Sequence, residues 1–415
     1  MKDQYLSEMA KRSRGQPMFE LLQEAQALER SGKHILHFEL GDPDFDTPKN
    51  ITEAACNALN EGNTHYAPSM GIYEFREAIA DATNTSRGFK PNIDQVLVTP
   101  GGNPIIFLTI ACATNPGDEV IVPDPGFPSY FTSIEICGAK AVSVPLKEEN
   151  NFQLAPEDVF KAVTDKTKLI IINSPSNPTG GSMSKSELEE IASFANKKGI
   201  YLLSDEIYAR LVYGKENFFS PSVIDECKEN TIILNGFSKA FAMTGWRLGV
   251  AVGPEKIINK MNLMLNTIVS CVPPFIQIAG IEAINGNQDE LIDMKNRYFN
   301  RMNIFVDGLN SIKGISCIKP KGAMYAFPNI KETGLSSNQF ARKCLNEAGV
   351  ALLPGSDFGF NESKMLARLS FTDFDGEKFM NSIKEDQSID FNIIEKLAPK
   401  VVEGVDNLKK WSENL

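Results

Sequence analysis

The chain has 415 residues, of which 42% are apolar and 23% are charged, so it can form a large core and more than one domain. Its net charge of −11, without a basic block, argues against nucleic acid or an anionic membrane as a partner. We find no membrane-length apolar stretch and no signal-peptide core. Seven scattered cysteines and only three histidines predict reduced thiols, a cytoplasmic location and no metal site.

Short apolar runs alternate with helical patterns between about residue 47 and residue 290. This alternation is typical of an α/β fold, in which a mostly parallel sheet carries helices on both faces. The runs predicted as strands are residues 96–99, 119–122, 168–172, 201–204, 231–234 and 248–252. Helices are predicted to begin near Asn103 and to cover residues 185–198.

The two ends of the chain have a different pattern. Residues 17–31 are helical in pattern, a long helix follows about Asp293, residues 322–327 resemble a strand, and a helix is predicted near 337–348. We therefore predict a large domain over 47–290 and a smaller α+β domain built from 1–46 and 291–415. The last segment, 390–415, is helical in pattern and is expected to pack on the small domain or on a partner subunit. Its periodic apolar residues are Phe391, Ile394, Leu397, Val401, Val405 and Leu408.

Lys239 follows the apolar run at 231–234 and a glycine turn, and small residues and Arg247 come after it. A lysine held away from bulk water offers its neutral amine more readily, and that amine can attack a carbonyl to form a Schiff base. Arg247 could neutralise a phosphate on the same ligand.

Other polar and aromatic residues also follow strands, where ligands gather in parallel α/β sheets. Gly102 and Asn103 open a helix whose free N–H groups suit a phosphate, although a Gly-Gly turn is more often only a turn. Phe127 could stack on a flat ring, and a core position is an equal alternative. Asn177 lies in a rigid turn that either directs its amide into a cleft or is simply a tight turn.

Asp205 ends a buried strand, where a carboxylate is costly unless it is paired. A protonated pyridine nitrogen would pair it, and Tyr208 could then reach the phenolic oxygen of the same ring. A helix cap is the ordinary alternative for Asp205. Taken together, the strand ends supply a phosphate cradle, a stacking ring, a partner for a ring nitrogen and an imine-forming lysine. This combination predicts pyridoxal 5'-phosphate (PLP) as the cofactor.

Over roughly residues 15–385 the chain resembles the class I/II aminotransferases of fold type I, which are similar to aspartate aminotransferase. The resemblance implies an α/β fold with a mostly parallel sheet of the seven-stranded type and a smaller α+β domain. The segments that carry it are 41–45, 66–71, 177–180, 204–208, 238–249, 354–359 and 367–370.

The resemblance implies a role for each matching residue. Lys239 is expected to hold PLP as an internal aldimine and then to move protons, and Asp205 to keep the ring nitrogen protonated. Tyr208 and Asn177 are expected to bind the ring oxygen. The phosphate is expected to contact Gly102, Asn103, Ser238 and Arg247.

Substrate and partner contacts are implied in the same way. Arg368 is expected to hold the substrate α-carboxylate with two hydrogen bonds, helped by Asn177 and the Gly41 backbone. Tyr66 is expected to reach the phosphate of the other subunit, which makes the enzyme a homodimer.

The expected reaction is ping-pong transamination from an α-amino acid to a 2-oxo acid, with 2-oxoglutarate as acceptor. Asn103 replaces a lysine that reads the aspartate side chain in one bacterial branch, so aspartate specificity is not expected. Phe19 suggests tolerance of an apolar side chain. Two alternatives stay open: the same cofactor used for β-elimination, decarboxylation or ring closure, and a non-catalytic ligand-sensing regulatory module.

Overall fold

The computed structural model describes residues 5–13, 15, 17–214, 217–359, 365–372 and 398–413. In chain order, its strands are β1 (Leu36–His37), β2 (Val96–Thr99), β3 (Glu119–Asp124), β4 (Lys140–Pro145), β5 (Thr167–Asn173), β6 (Tyr201–Asp205), β7 (Thr231–Gly236), β8 (Gly249–Val252), β9 (Tyr325–Ala326), β10 (Val350–Ala351), β11 (Leu353–Pro354) and β12 (Ala367–Ser370).

The helices, again in chain order, are α1 (Glu8–Arg12), α2 (Pro17–Arg30), α3 (Lys49–Asn60), α4 (Tyr73–Arg87), α5 (Asn103–Ala113), α6 (Pro128–Ile136), α7 (Pro156–Ala162), α8 (Lys185–Lys198), α9 (Glu255–Val269), α10 (Pro274–Asn285), α11 (Asp289–Asn310), α12 (Ser337–Lys343) and α13 (Pro399–Ser412). Within the described ranges, no helix is both long enough and apolar enough to cross a membrane.

A seven-stranded sheet in the order β2-β8-β7-β6-β5-β3-β4 forms the centre of the molecule. Within it, only β8 runs against the others. Along β5, Ile170 and Ile172 enter one apolar core while Leu169 and Ile171 enter another, so both faces of the sheet are covered. This confirms the predicted α/β fold, because strands buried on both faces read as continuous apolar runs.

All six strands predicted from apolar runs are present, but β4 was not predicted. It lies at the edge of the sheet and pairs only with β3. Most of its residues are partly or fully exposed, so its sequence carries no continuous apolar run. The helix predicted near 337–348 is divided into α12 and a π-helical turn, Cys344–Ala348.

The two ends of the chain meet away from the large sheet. Strand β1 pairs in parallel with β10, and β11, β12 and β9 form a three-stranded antiparallel sheet. Helix α13 packs here: Trp411 Nε1 donates to Glu347 Oε2 at 2.7 Å, and a Cβ on Gly404 would lie 2.5 Å from the Phe38 ring. The domain boundaries 47–290, 1–46 and 291–415 stay a prediction. Phe391, Ile394 and Leu397 lie outside the described residues.

Candidate active site

The carboxyl ends of β2, β3, β5, β6 and β7 open into one cavity of about 510 Å³. This cavity is lined by all but one of the site residues that were expected from the sequence. These are Gly41, Gly102, Asn103, Phe127, Asn177, Asp205, Tyr208, Ser238, Lys239, Arg247 and Arg368. The exception is Tyr66, which is 92% exposed and lies outside the cavity wall of this subunit.

Lys239 is delivered to the cavity by the turn that follows β7. The side chain is half-buried, and its Nζ donates a hydrogen bond to the carbonyl oxygen of Gly41. Gly41 belongs to the segment after β1, and a Cβ there would lie only 2.0 Å from Tyr325 Oη. The absence of a side chain at position 41 therefore allows the N-terminal segment to approach Tyr325.

Asp205 ends β6 and is 5% exposed. Tyr130 Oη donates to its Oδ2 at 2.6 Å, and the Ile207 amide donates to its Oδ1 at 3.1 Å. Burial raises the pKa of Asp205 to about 6, although both hydrogen bonds act in the opposite direction. A cation in contact with this carboxylate would remove the cost of burying its charge. The local amide bond resembles the capping role considered as an alternative, but Asp205 also faces the cavity.

Tyr130 was not assigned a role from the sequence. It lies three residues after Phe127, at the start of α6, and the two rings meet edge to face with centroids 5.7 Å apart. Spacing of three residues at a helix start places both rings on one side. That spacing was a usable signal, but nothing in the sequence indicated that the Tyr130 hydroxyl would reach Asp205.

An anion cradle forms where β2 ends and β8 begins. Gly101 has φ +87°, and a Cβ there would lie 2.4 Å from Arg247 Nη2. A Cβ on Gly249 would in turn lie 2.5 Å from the Gly101 carbonyl. Helix α5 has Gly102 as its N-cap with no side-chain cap, so the backbone amides of Gly102 and Asn103 remain available to a ligand. Pro104 has no N–H, and the Ile105 amide donates to the Gly102 carbonyl. The guanidinium and the available amides suit a phosphate group. The sequence marked Gly101 as part of a Gly-Gly turn that a ligand could approach closely, but it gave Gly101 no contact with Arg247.

Arg368 lies on β12 and is 1% exposed. Its Nη1 donates to Asn177 Oδ1 at 3.1 Å and its Nη2 donates to the Glu39 carbonyl, whereas its buried Nε has no partner among the described residues. The guanidinium lies 4.5 Å from the centre of the Tyr325 ring. Burial lowers the pKa of Arg368. A buried cation with an unused donor is suited to bind a carboxylate.

Asn177 is fixed by its neighbours. The backbone amide of Asn177 donates to Asn173 Oδ1 at 2.7 Å, and Asn173 Nδ2 donates to the backbone carbonyl of Asp205 at 3.1 Å. Because Arg368 can only donate, Asn177 Oδ1 must face it, and the Asn177 Nδ2 group is directed elsewhere. The turn after β5 therefore connects the carboxylate clamp to the end of β6.

Tyr208 shares a hydrogen bond with Tyr325, with 2.8 Å between the two hydroxyl oxygens. Burial raises the pKa of the Tyr208 hydroxyl well above its usual value, so this group is a neutral donor at physiological pH. Tyr325, on β9, also lies beneath Arg368 and beside Gly41, although the sequence gave it no role.

Comparison with known proteins identifies the family. Residues 33–383 match the family model described as aminotransferase class I and II. An aspartate aminotransferase of Pyrococcus horikoshii is 41% identical over 80% of this chain and 86% of its own length, and an aromatic-amino-acid aminotransferase of Thermococcus litoralis is 41% identical over 85% and 89%. The structure of Thermus thermophilus aspartate aminotransferase with maleate aligns with TM-score 0.88 and 32% identity over 98% of this chain and 99% of that one.

These matches confirm the expected family, the aminotransferase activity and the dependence on PLP. The chain belongs to the class I and II aminotransferases.

Proposed function

We propose that Lys239 bonds covalently to the PLP aldehyde and that the other cavity residues take the roles implied by the sequence. The observation that carries this proposal is the composition of one cavity, which collects an amine, a buried carboxylate and two arginines. When bound, PLP supplies an electron sink for the bonds at the substrate α-carbon. The protein residues bind, orient and move protons.

The cavity residues fit the chemistry of PLP. Asp205 is a buried carboxylate whose raised pKa indicates that it lacks a cation, and a protonated ring nitrogen would supply one. The missing side chain at Gly101 makes room for the Arg247 guanidinium, which suits the phosphate together with the first amides of α5 and Ser238. Phe127 offers a ring face, and Tyr208 offers a neutral hydroxyl to the ring oxygen.

The substrate α-carboxylate would bind Arg368, which lines the cavity. The unused Nε donor and the low polarity around the guanidinium favour a charged, two-pronged contact. Asn177 and the Gly41 backbone complete this end of the cavity. Lys239, which lines the same cavity as this clamp and the anion cradle, would take and return the proton of the α-carbon.

The donor side chain is proposed to be neutral. Among the described residues, the cations lining the cavity are Lys239, Arg247 and Arg368, and each already has a role. Phe19 and the neutral Asn103 supply other parts of the wall. Relatives at 41% identity are named for both aspartate and aromatic amino acids, so both donor classes belong in the screen. The proposed acceptor is 2-oxoglutarate in a ping-pong cycle. Its second carboxylate would be bound by a neutral donor such as the Asn103 side-chain amide, because the three cations of the cavity have other roles.

A donor and acceptor panel tests the reaction. We expect amino acid consumption to require a 2-oxo acid and to give equimolar new amino acid, with aromatic and apolar donors faster than aspartate. Pyruvate and ammonia released from a donor without any acceptor would instead support β-elimination. Equal rates with oxaloacetate, pyruvate and 2-oxoglutarate would remove the acceptor assignment.

The covalent role of Lys239 has its own test. Borohydride reduction of the PLP-loaded enzyme followed by peptide mapping should label Lys239, because its amine lies in the cavity. Lys239→Ala should lose the yellow absorbance of the lysine-bound cofactor. A label on another lysine would contradict the assignment.

We also propose a homodimer in which Tyr66 reaches the partner subunit's phosphate. Tyr66 is highly exposed, and the adjoining end of α9 exposes Ile268 and Val269. The two segments touch, because the Ala67 amide donates to Cys271 Sγ at 3.4 Å. Exposed aromatic and apolar side chains on two touching segments are typical of an interface.

Subunit mixing tests the shared site. In a hybrid of a Lys239→Ala chain and a Tyr66→Ala chain, one site carries both defects and the other carries neither. We therefore expect mixed, refolded subunits to regain activity and tight PLP binding in one site per dimer. No recovery in a sample that sedimentation shows to contain hybrids would contradict the arrangement.

A cytoplasmic location is proposed because the structure contains seven free cysteines.

A further inference from the structure

A second cavity of about 350 Å³ lies behind the segments that carry the catalytic groups. Its wall includes Gly236 and Phe237, which directly precede Ser238, and it includes Ile207, which also lines the active-site cavity. The two cavities are therefore separate spaces that share one side chain. A ligand in the second cavity would not contact Arg368.

The inner part of this second cavity is apolar and deeply buried. Its walls include Ile233, Phe237, Phe241, Val250 and Val252, each no more than 5% exposed. An apolar cavity of about 150 Å³ already holds benzene rather than water. A space of about 350 Å³ falls within the lower range of small-molecule pockets, roughly 300–1,000 Å³. It can therefore hold an aromatic ring with a short chain.

Two arginines line the same cavity, but only one of them is neutralised. Arg87 forms a buried ion pair with Glu206 through both Nε and Nη2. Arg210 donates to the neutral Gln288 at 3.1 Å and lies 4.9 Å from the centre of the Phe241 ring. No carboxylate pairs with Arg210 in the described part of the chain. The cavity thus combines an apolar interior with one solvent-exposed arginine that has no carboxylate partner among the described residues.

We propose that this cavity binds a small monocarboxylate with an aromatic or branched apolar body. The carboxylate bonds Arg210, and the apolar body lies beside the stacked rings of Phe237 and Phe241. The charge excludes neutral hydrocarbons as the preferred ligand, and the apolar walls disfavour inorganic anions. This site is independent of the proposed roles of the catalytic residues, because it uses none of them.

The test uses 3-phenylpropionate as the probe and the PLP-loaded enzyme. Calorimetric titration is performed in an Arg368→Gln background, which removes the carboxylate clamp of the active site. Binding should persist there. Arg210→Gln should weaken it by about 10- to 100-fold, since a hydrogen bond to a charged group contributes about 1.5–3 kcal/mol. Ala82→Phe, which fills the cavity without changing charge, should abolish it.

Arg342→Gln is the matched control, because Arg342 is an exposed arginine on α12 that pairs with Glu24 far from the cavity. Arg342→Gln should leave the binding of 3-phenylpropionate unchanged. The uncharged probe 3-phenylpropanol should bind the protein with intact Arg210 as weakly as 3-phenylpropionate binds the Arg210→Gln variant. Loss of all binding in the Arg368→Gln background, with its unfolding midpoint intact, would overturn the proposal. Equal affinity in the Arg210→Gln and Ala82→Phe variants would do the same.

A second measurement covers the case in which Arg368→Gln fails to fold. Wild-type crystals soaked with 3-(4-bromophenyl)propionate should give a bromine anomalous peak inside the second cavity, beside the stacked Phe237 and Phe241 rings, with the carboxylate at Arg210. A peak beside Arg368 alone would assign the ligand to the active site and refute the second site.

Discussion

Replacing Tyr130 with phenylalanine tests whether its hydroxyl controls the ionisation of Asp205. The change removes one hydrogen bond, from Tyr130 Oη to Asp205 Oδ2 at 2.6 Å, and keeps the ring. A hydrogen bond to a charged group contributes about 1.5–3 kcal/mol, and one pKa unit corresponds to about 1.4 kcal/mol. The pKa of Asp205, about 6 in the cofactor-free protein, should therefore rise by about one to two units in Tyr130→Phe.

The direction of the change in PLP affinity follows from which protonation state of Asp205 binds the cofactor. Asp205 is ionised above its pKa, and only the ionised carboxylate pairs with a protonated ring nitrogen. If the pKa of Asp205 is higher, tight PLP binding is therefore lost at a higher pH when the solution is acidified. The affinity of the cofactor-free enzyme for PLP is measured from about pH 5 to about pH 9. As the pH falls, this affinity should begin to weaken about one to two pH units higher in Tyr130→Phe than in the wild type.

Tyr213→Phe is the matched control. Tyr213 is also buried, but its hydroxyl donates to the Ala323 carbonyl rather than to a carboxylate. It should leave the pH profile in place even if it lowers stability. The reasoning is wrong if Tyr130→Phe keeps the wild-type profile, or if both variants shift it equally.

Three further substitutions probe other parts of the site. Asp205→Asn should lower kcat by on the order of 100- to 1,000-fold, as expected when one member of a buried pair is removed; wild-type turnover with cofactor bound would contradict its role. Arg368→Lys should reduce kcat/KM for the amino acid by about 100-fold, because lysine lacks the forked donors, while an undiminished value would exclude the clamp. Gly101→Ala should weaken PLP binding by at least about tenfold through the clash with Arg247. Gly117→Ala, with φ +89° and open space around the added carbon, is its control and should bind PLP normally.

The sequence located the residues proposed for catalysis in one cavity because each lies at or just after the end of a strand that is buried on both faces. Such strands read as uninterrupted apolar runs, so the ends of β5, β6 and β7 could be found without a structure. Asn177, Asp205 and Lys239 follow those runs directly, and parallel pairing brings strand ends to one edge. The same reasoning failed for β4, whose single neighbour leaves it partly exposed.

Contacts between distant segments could not be read from the sequence. Tyr325 touches Gly41, Tyr208 and Arg368, yet these residues belong to four separate parts of the chain. The role of Gly101 depends on where the Arg247 guanidinium lies in space. The periodicity of apolar residues predicts strands and helices, but it does not show which side chains contact a distant segment of the chain.

The bond between Arg368 and the Glu39 carbonyl spans 329 residues. The segment around Glu39 also supplies the Gly41 carbonyl that accepts from Lys239. During synthesis, this early segment must therefore wait until nearly nine-tenths of the polypeptide has left the ribosome before its partner strand exists. Contacts so far apart in sequence form late and slowly, so we expect nascent chains that stop before Val350, which also lack the partner strand of β1, to expose Leu36 and to depend on chaperones.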